Sequence, residues 1–246
     1  MSINWHKRYR QQANWTEPLR SYIFEQLDLG KNTRLLELGC GTGAILERMH
    51  TPAYGLDLRL ASLQKAKGNT PTTALTCGNA LSLPYVDQSF DVVFSHFLWL
   101  WVQSPQTALA EMMRITRPEG HIIAFAEPDY TQRVDEPSQL EALGAWQREA
   151  LQTQGADPAM GAKLTELFYS AGMQIVETGT ISKPEREAFD RSAWQLEWDV
   201  LKSDLAGHIS TERIQEMKAM DLLAWQAGSR VLYVPTHYLW ARMPEG

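Results

Sequence analysis

The chain has 246 residues, a formal net charge of −6 and 44% hydrophobic residues. Its length fits one α/β domain with an appendage, and its hydrophobic content excludes a disordered protein. The acidic balance argues against a nucleic-acid partner held by bulk electrostatics.

Two cysteines, Cys40 and Cys77, give neither a metal-ligand spacing nor a disulfide framework, so no metal is expected. Residues 1–12 contain no apolar signal region, and the most apolar run, 92–102, is too short to span a bilayer. We therefore expect a cytoplasmic protein without a membrane partner, in a reducing compartment.

Helical spacing of apolar residues predicts a helical N-terminus over residues 1–29, with Thr16 as a cap and Pro18 near a first turn. The early basic residues Lys7, Arg8, Arg10 and Arg20 are interpreted as a solvated helix face.

Strand and helix patterns then alternate along the chain. Strands are predicted at 34–38, 53–58, 72–77, 90–95 and 121–126, and helices at 43–50, 60–67 and 105–116. The run from Arg117 to Gly120 is expected to stop the last of these helices. Such alternation favours a parallel sheet with helices on both faces.

The later part of the chain is less regular. Helices are predicted at 138–154 and 158–170, a sixth strand at 174–181, a mostly helical segment at 183–229 and a seventh strand at 230–240. Pro235 indicates an edge or a bulge in that last strand.

The turn after the first strand carries the pattern Glu37-x-Gly39-x-Gly41-x-Gly43. Glycines allow positive φ and let a ligand approach bare backbone, and the N–H groups opening the next helix favour a negative or electron-rich group. Gly39-x-Gly41-x-x-Ala44 also fits a dinucleotide fingerprint. Glu37 favours another ligand, because its carboxylate would repel a pyrophosphate and suits a cationic, phosphate-free compound such as S-adenosylmethionine (SAM).

Ligands of open parallel sheets bind beyond the carboxyl ends of the strands, which selects further residues. Asp57, followed by Leu58, suits ribose hydroxyls or caps the following helix. Asn79 and the backbone of Ala80 suit an adenine ring or form an ordinary turn. His96 faces the methionine end of the ligand or has a structural role.

Five segments resemble class I SAM-dependent methyltransferases, in the branch related to ubiquinone/menaquinone-biosynthesis C-methyltransferases, over about residues 34 to 181. They are Leu35–Gly43, Gly55–Asp57, Gly78–Pro84, Ser89–Val93 and Arg117–Gly120. Asn79 stands where that branch commonly has Asp, and Glu119 stands where a Gly is usual.

The resemblance implies SAM as cofactor, S-adenosylhomocysteine as product and a small-molecule acceptor. It also implies a Rossmann-like, seven-stranded, mostly parallel sheet with an antiparallel last strand. The chain is then one methyltransferase domain, with a helical cap at 1–30, a SAM-binding core at 31–182, a helical insert or lid at 183–229 and the last strand and tail at 230–246. Expected cofactor contacts are Glu37, Gly39, Cys40, Gly41, Gly43, Asp57, Leu58, Asn79, Ala80 and His96.

Nine tryptophans are many for this length, and we expect a largely apolar or aromatic acceptor pocket roofed by the N-terminal helices and the insert. Packing of these rings against the sheet is the alternative. Expected substrate contacts are Trp15, Phe97, Trp99 and Tyr130.

Methyl transfer needs positioning and exclusion of water, and needs a base only where the acceptor loses a proton. Glu127 and Asp129 are the candidate catalytic residues, with solvated loop carboxylates as the alternative. An NAD(P)-linked oxidoreductase and a SAM-binding protein without transfer remain alternative functions. The sequence gives no signal for an oligomeric state.

Overall fold

The structure is a computed structural model that describes residues 3–27, 29–49, 51–181 and 189–244. Nine strands lie in this part of the chain. In chain order they are β1 Leu35–Leu38, β2 Ala53–Asp57, β3 Ala74–Cys77, β4 Phe90–Ser95, β5 Thr116–Pro128, β6 Val134–Glu136, β7 Gln174–Thr180, β8 Val231–Tyr233 and β9 Thr236–Arg242.

Seven of these strands form one sheet in the order β3-β2-β1-β4-β5-β9-β7. The first five are parallel, and β9 runs antiparallel to both β5 and β7. The strand order reverses between β1 and β4, which places a ligand crevice beyond their carboxyl ends. The predicted fold, including the reversed last strand, is confirmed.

Eight α-helices accompany the strands in the described residues, and none is long and apolar enough to cross a membrane. They are α1 Trp5–Trp15, α2 Glu17–Gln26, α3 Leu60–Asn69, α4 Pro105–Ile115, α5 Glu141–Thr153, α6 Met160–Ser170, α7 Arg191–Asp204 and α8 Thr211–Gln226. The helical cap and the described part of the insert are therefore present, whereas the expected boundary at 182/183 lies outside the described residues.

The strands of the sheet alternate their side chains between two cores. Leu36 and Leu38 of β1 face a cluster that includes residues of α4 and α6. Leu35 faces the other cluster, together with Phe94 of β4 and Ile23 of α2. Because Glu37 is two residues after Leu35, the same alternation directs it to the face covered by α2.

A third core lies between the helices of the insert. Trp194, Trp198 and Leu201 of α7 pack with Met217 of α8 and with Leu140, which precedes α5. Beneath it, β6 and β8 pair as a separate two-stranded antiparallel sheet. The insert is thus a packed helical layer with its own apolar interior.

Three local predictions are wrong. The helix expected at 43–50 is a series of turns ending in a 3₁₀ turn at Leu46–Arg48, because Gly43 has φ +78° and helical dihedrals start only after it. Its last residue, His50, lies outside the described residues. The strand expected at 230–240 is divided by Pro235 into β8 and β9, which pair in different sheets.

The third concerns the start of the fifth strand, expected at 121. The preceding helix does end before 117–120, at Ile115, but these residues already lie inside β5. There Glu119 adopts φ +61°, and the register of β5 against β4 shifts between Phe90 and Val92. Residues 117–120, whose sequence is typical of a turn, are accommodated in this irregular part of the strand. The strand therefore begins at Thr116, directly after α4.

Candidate functional site

The glycine turn lies at the reversal of strand order. Gly39, Gly41 and Gly43 have φ values of +72°, +53° and +78°, which side chains with a Cβ rarely adopt. The N–H groups of Gly39 and Cys40 both donate to the carbonyl oxygen of Leu56, at 2.8 and 3.0 Å. The turn therefore folds back over the end of β2, and Gly41 and Gly43 within it are buried.

Glu37 is the most unusual group at this edge. It is 3% exposed, and its Oε2 atom has no hydrogen-bond partner in the described structure. Burial raises its pKa to about 8, while the charge of Arg20 lowers it and that of Asp57 raises it. A buried carboxylate oxygen without a partner is costly for the fold, and a cationic ligand would offset that cost.

Asp57 braces the glycine turn. Its Oδ2 atom accepts the N–H of Gly41 at 2.9 Å, and its Oδ1 atom accepts the N–H of Arg59, which precedes α3, at 2.8 Å. Asp57 thus holds the backbone just before α3, but no side chain caps that helix, so the capping alternative is not confirmed. Each carboxylate oxygen keeps a second acceptor position, so a ribose diol can still be bound there. Leu58, the next residue, is exposed.

Cys40 belongs to the wall of the site. It is buried with Leu46 and Leu63, and burial raises the pKa of its thiol, so it remains neutral and unreactive. At the end of β3, Asn79 is exposed and its Oδ1 accepts the N–H of Leu81 at 3.0 Å. Asn79 thus makes the hydrogen bond of an ordinary turn, as the alternative interpretation predicts. Adenine contacts by Asn79 and Ala80 stay predictions.

Helix α1 covers the glycine turn. A Cβ at Gly41 would lie 3.2 Å from the ring of Tyr9. His6 Nδ1 is 2.8 Å from Thr42 Oγ1, and Asn69 of α3 donates to the carbonyl of Thr42 at 2.9 Å. The cap thereby contacts the cofactor edge directly, which its sequence pattern does not predict.

The corner between α1 and α2 is tied to the end of β4. Thr16 Oγ1 lies 2.9 Å from His96 Nε2, and Arg20 Nη1 donates to Thr16 Oγ1 and, at 2.7 Å, to the carbonyl of Ala13. Burial and the nearby Arg20 charge lower the pKa of His96 to about 3. His96 is therefore neutral at physiological pH and too weak a base for general-base catalysis.

Arg8 and Arg20 are each only 6% exposed, so the interpretation of both as part of a solvated face is wrong. A sequence indication existed for Arg20. It precedes Ile23 by three residues and therefore shares the buried face of α2.

The two candidate catalytic carboxylates are buried rather than solvated. Glu127 accepts the N–H of Leu98 at 2.8 Å and that of Leu100 at 3.4 Å. Burial raises its pKa to about 8, against these N–H groups, which lower it. Asp129 caps the following turn by accepting the N–H of Thr131 at 2.9 Å. Both carboxylates therefore hold backbone, and their catalytic roles stay predictions.

Trp99 lies in the sheet core instead of lining a pocket. Its side chain is fully buried, its indole N–H donates to Ser95 Oγ at 3.0 Å, and its ring packs against Phe168. Trp15, by contrast, is 42% exposed, with the Arg8 guanidinium 5.1 Å from its ring centre. For Trp99, therefore, the alternative interpretation holds: its ring packs against the sheet core.

Phe97 and Tyr130 lie closer to the expected acceptor space. Phe97 adopts φ +53° beside the His96 ring, at a centroid distance of 4.8 Å. Burial raises the pKa of Tyr130 to about 12, with smaller effects of the Glu197 charge, which raises it, and of the Arg8 charge, which lowers it. Tyr130 also packs against the sheet core, and the apolar or aromatic acceptor pocket stays a prediction.

Ion pairs join the insert to the rest of the chain. Arg8 of α1 and Glu197 of α7 are 2.6 Å apart. Deeper, Arg230 contacts Asp135 at 2.6 Å and Asp221 at 2.5 Å. Sequence reasoning missed this network, since Asp135 and Arg230 are distant in the chain.

The arrangement suits a cationic, phosphate-free ligand. The unpartnered oxygen of Glu37 belongs to β1, which borders the strand-order reversal, and three glycines at positive φ follow it. A diphosphate at the same turn would be repelled by the Glu37 carboxylate and by Asp57.

Comparisons with known proteins agree with this geometry. Residues 36–124 match the family model described as a methyltransferase domain. The chain is 30% identical over 145 residues to a malonyl-[acyl-carrier protein] O-methyltransferase of Erwinia pyrifoliae, covering 58% of this chain and 53% of that protein. It is 31% identical over 120 residues to a demethylmenaquinone methyltransferase of Renibacterium salmoninarum, covering 47% and 51%.

The chain thus spans about half the length of these two curated relatives. A geranyl diphosphate methyltransferase solved with GPP and sinefungin superposes with a TM-score of 0.56 at 13% identity, covering 92% of this chain and 78% of that one. At this identity the likeness shows the fold alone. These similarities do not favour the dinucleotide alternative.

Proposed function

We propose that this chain is a class I methyltransferase that binds SAM and transfers its methyl group to a small-molecule acceptor, which the match of residues 36–124 to a methyltransferase domain supports. The unpartnered oxygen of buried Glu37, beside the glycine turn, is the observation that carries the proposal. Burial raises the pKa of this carboxyl to about 8, and a ligand with a cationic ammonium and no phosphates would favour its ionised form and give it a partner.

The residues present fit such a cofactor. Glu37 would hold its ammonium, the backbone of Gly39 and Gly41 would lie against it, and Asp57 would accept from its ribose. When bound, SAM supplies an electrophilic methyl group on a sulfonium. The relatives' printed names, and a neighbouring structure solved with SAM, support this cofactor.

The chain's contribution is positioning and exclusion of water. Glu127 holds the backbone of the segment after β4, and Asp129 holds the turn that carries Tyr130. This fixes Phe97 and Tyr130 as walls of the acceptor space. The Arg8–Glu197 ion pair supports a roof formed jointly by α1 and the insert, as proposed for the segment 183–229.

The acceptor is proposed to be a small molecule. The relatives' names include malonyl-[acyl-carrier protein] and demethylmenaquinone, so the shared chemistry lies in the cofactor and not in the acceptor. We also propose a cytoplasmic location, which the two free cysteines support.

Calorimetric titration with SAM, S-adenosylhomocysteine and NADH tests the cofactor. We expect binding of the first two and none of NADH. Mass spectrometry of reactions with a panel of phenols, amines, thiols and carboxylic acids then tests transfer. Preferential binding of NADH would overturn the proposal, and SAM binding without any methylated product would favour a non-catalytic SAM-binding protein.

A further inference from the structure

An ion pair joins the N-terminal cap to the insert beside the proposed acceptor space. Arg8 of α1 is 6% exposed, and its Nη1 atom lies 2.6 Å from Glu197 Oε2 of α7. The same Nη1 donates to Gln11 Oε1 at 2.9 Å, and the guanidinium centre lies 5.1 Å from the centre of the Trp15 ring. These three contacts fix the direction of the Arg8 side chain.

The Arg8 guanidinium keeps donors that are not used within the described residues. Its one side-chain hydrogen bond there runs from Nη1 to Gln11, so its Nε and Nη2 groups make none. A guanidinium carries five N–H donors, and Arg8 can therefore donate to a ligand while it stays paired with Glu197. The Glu197 side chain is 28% exposed, so the pair is not sealed from its surroundings.

Tyr130 adds an uncharged hydroxyl near this pair. It follows the end of β5 by two residues, at the carboxyl edge of the sheet, and is half-buried. The charges of Glu197 and Arg8 both act on its hydroxyl, and burial raises its pKa to about 12, so it stays protonated at physiological pH. The hydroxyl makes no hydrogen bond with the described residues, and it can donate one to a ligand.

The balance of charge determines which ligand group fits here. An anionic group would be attracted by Arg8 and repelled by Glu197, and a cationic group would meet the reverse. The next charges that act on the Tyr130 hydroxyl, those of Asp204 and Arg133, are again of opposite sign. Because the charges already compensate each other, an uncharged group that accepts hydrogen bonds can bind without separating them. A carbonyl, amide or hydroxyl oxygen meets this requirement.

We propose that Arg8 and Tyr130 bind an uncharged, oxygen-bearing group of the acceptor, and that Glu197 excludes acceptors that carry a carboxylate at this position. This inference rests on the proposed function and names the class of acceptor that the site takes. Arg8, Tyr130 and Glu197 are specificity residues in this arrangement, since the recognised oxygen need not be the atom that receives the methyl group.

The test uses three aromatic probes of similar size and different charge: neutral benzamide, anionic benzoate and cationic benzylamine. Their binding is measured by saturation-transfer NMR titration of protein saturated with S-adenosylhomocysteine. We expect the wild type to bind benzamide about 10-fold more tightly than benzoate or benzylamine. Glu197→Gln should tighten benzoate binding about 10-fold and leave benzamide binding within about 2-fold, because Arg8 loses its compensating charge.

Glu216→Gln is the matched control, because Glu216 is also a glutamate of the insert but pairs with Arg213 within α8. It should leave the affinities for all three probes unchanged. Tighter binding of benzoate than of benzamide by the wild type would overturn the inference, as would a Glu197→Gln variant with unchanged preference. Binding of S-adenosylhomocysteine without binding of any probe would also overturn it. Failure of the wild type to bind S-adenosylhomocysteine would instead contradict the proposed function.

Discussion

Glu37 and Glu127 are the same residue type at the ends of two parallel strands of one sheet, yet they are used differently. Both are buried, and burial raises the pKa of each to about 8. Glu127 accepts backbone N–H groups from the segment after β4, whereas Glu37 keeps one oxygen without a partner. The partners of a buried carboxylate therefore distinguish a group that holds the fold from one kept for a ligand.

The largest expected effect follows from replacing the unpartnered carboxylate. Glu37→Gln removes the charge that the cofactor's ammonium needs, so we expect SAM binding to weaken about 100-fold by calorimetric titration. The thermal midpoint at about pH 8 and above should stay the same or rise, because the amide has no charge to bury where the carboxyl would ionise. Unchanged affinity would place the ammonium elsewhere, and a large fall in midpoint would mean that Glu37 holds the fold.

Glu127→Gln should show the opposite pattern. Its amide would direct an N–H group toward backbone N–H donors, and we expect a loss of about 1–3 kcal/mol in the free energy of unfolding. Chemical denaturation measures this loss, with Glu37→Gln as the matched control. SAM affinity should change less than in Glu37→Gln. A variant as stable as the wild type would refute the structural role of Glu127.

Asp57 is the intermediate case, because both of its oxygens hold backbone and it also faces the proposed ribose position. Asp57→Ala should weaken SAM binding by about 1–3 kcal/mol, through lost hydrogen bonds and a looser glycine turn. Titration with adenosine alone separates these causes, since a ribose contact affects adenosine as well. An unchanged dissociation constant would remove Asp57 from the site.

The pH dependence of stability gives a further distinction. The folded-state pKa of Glu37 is raised from its ordinary 4.5 to about 8, so its contribution to stability is fully present below about pH 4.5 and is lost as pH rises through about 8. Glu37→Gln should therefore flatten the decline in the free energy of unfolding between these values, as measured by urea denaturation. An unchanged slope would contradict the burial of an ionisable Glu37.

Local patterns predicted the sheet and the glycine turn because short apolar strands and glycines at positive φ are encoded within a few residues. The partners of buried charges are not encoded in that way. Arg230 pairs with Asp135 only after β6 and β8 meet, and no local pattern distinguishes Glu127 from a solvated carboxylate. Arg20 is an exception, because its spacing from Ile23 places it on the buried face of α2.

The smallest effect is expected at the partly exposed ion pair between α1 and α7. Glu197 is 28% exposed in its side chain, so Glu197→Gln should lower the free energy of unfolding by about 1 kcal/mol or less. If the pair holds the roof over the acceptor and not the cofactor, SAM affinity will stay constant while the Michaelis constant for an acceptor changes. Arg213→Gln is the control, since its pair with Glu216 lies within α8. A loss of SAM affinity in Glu197→Gln would instead show that the insert closes over the cofactor, because a contact restricted to the acceptor space cannot alter binding measured without acceptor.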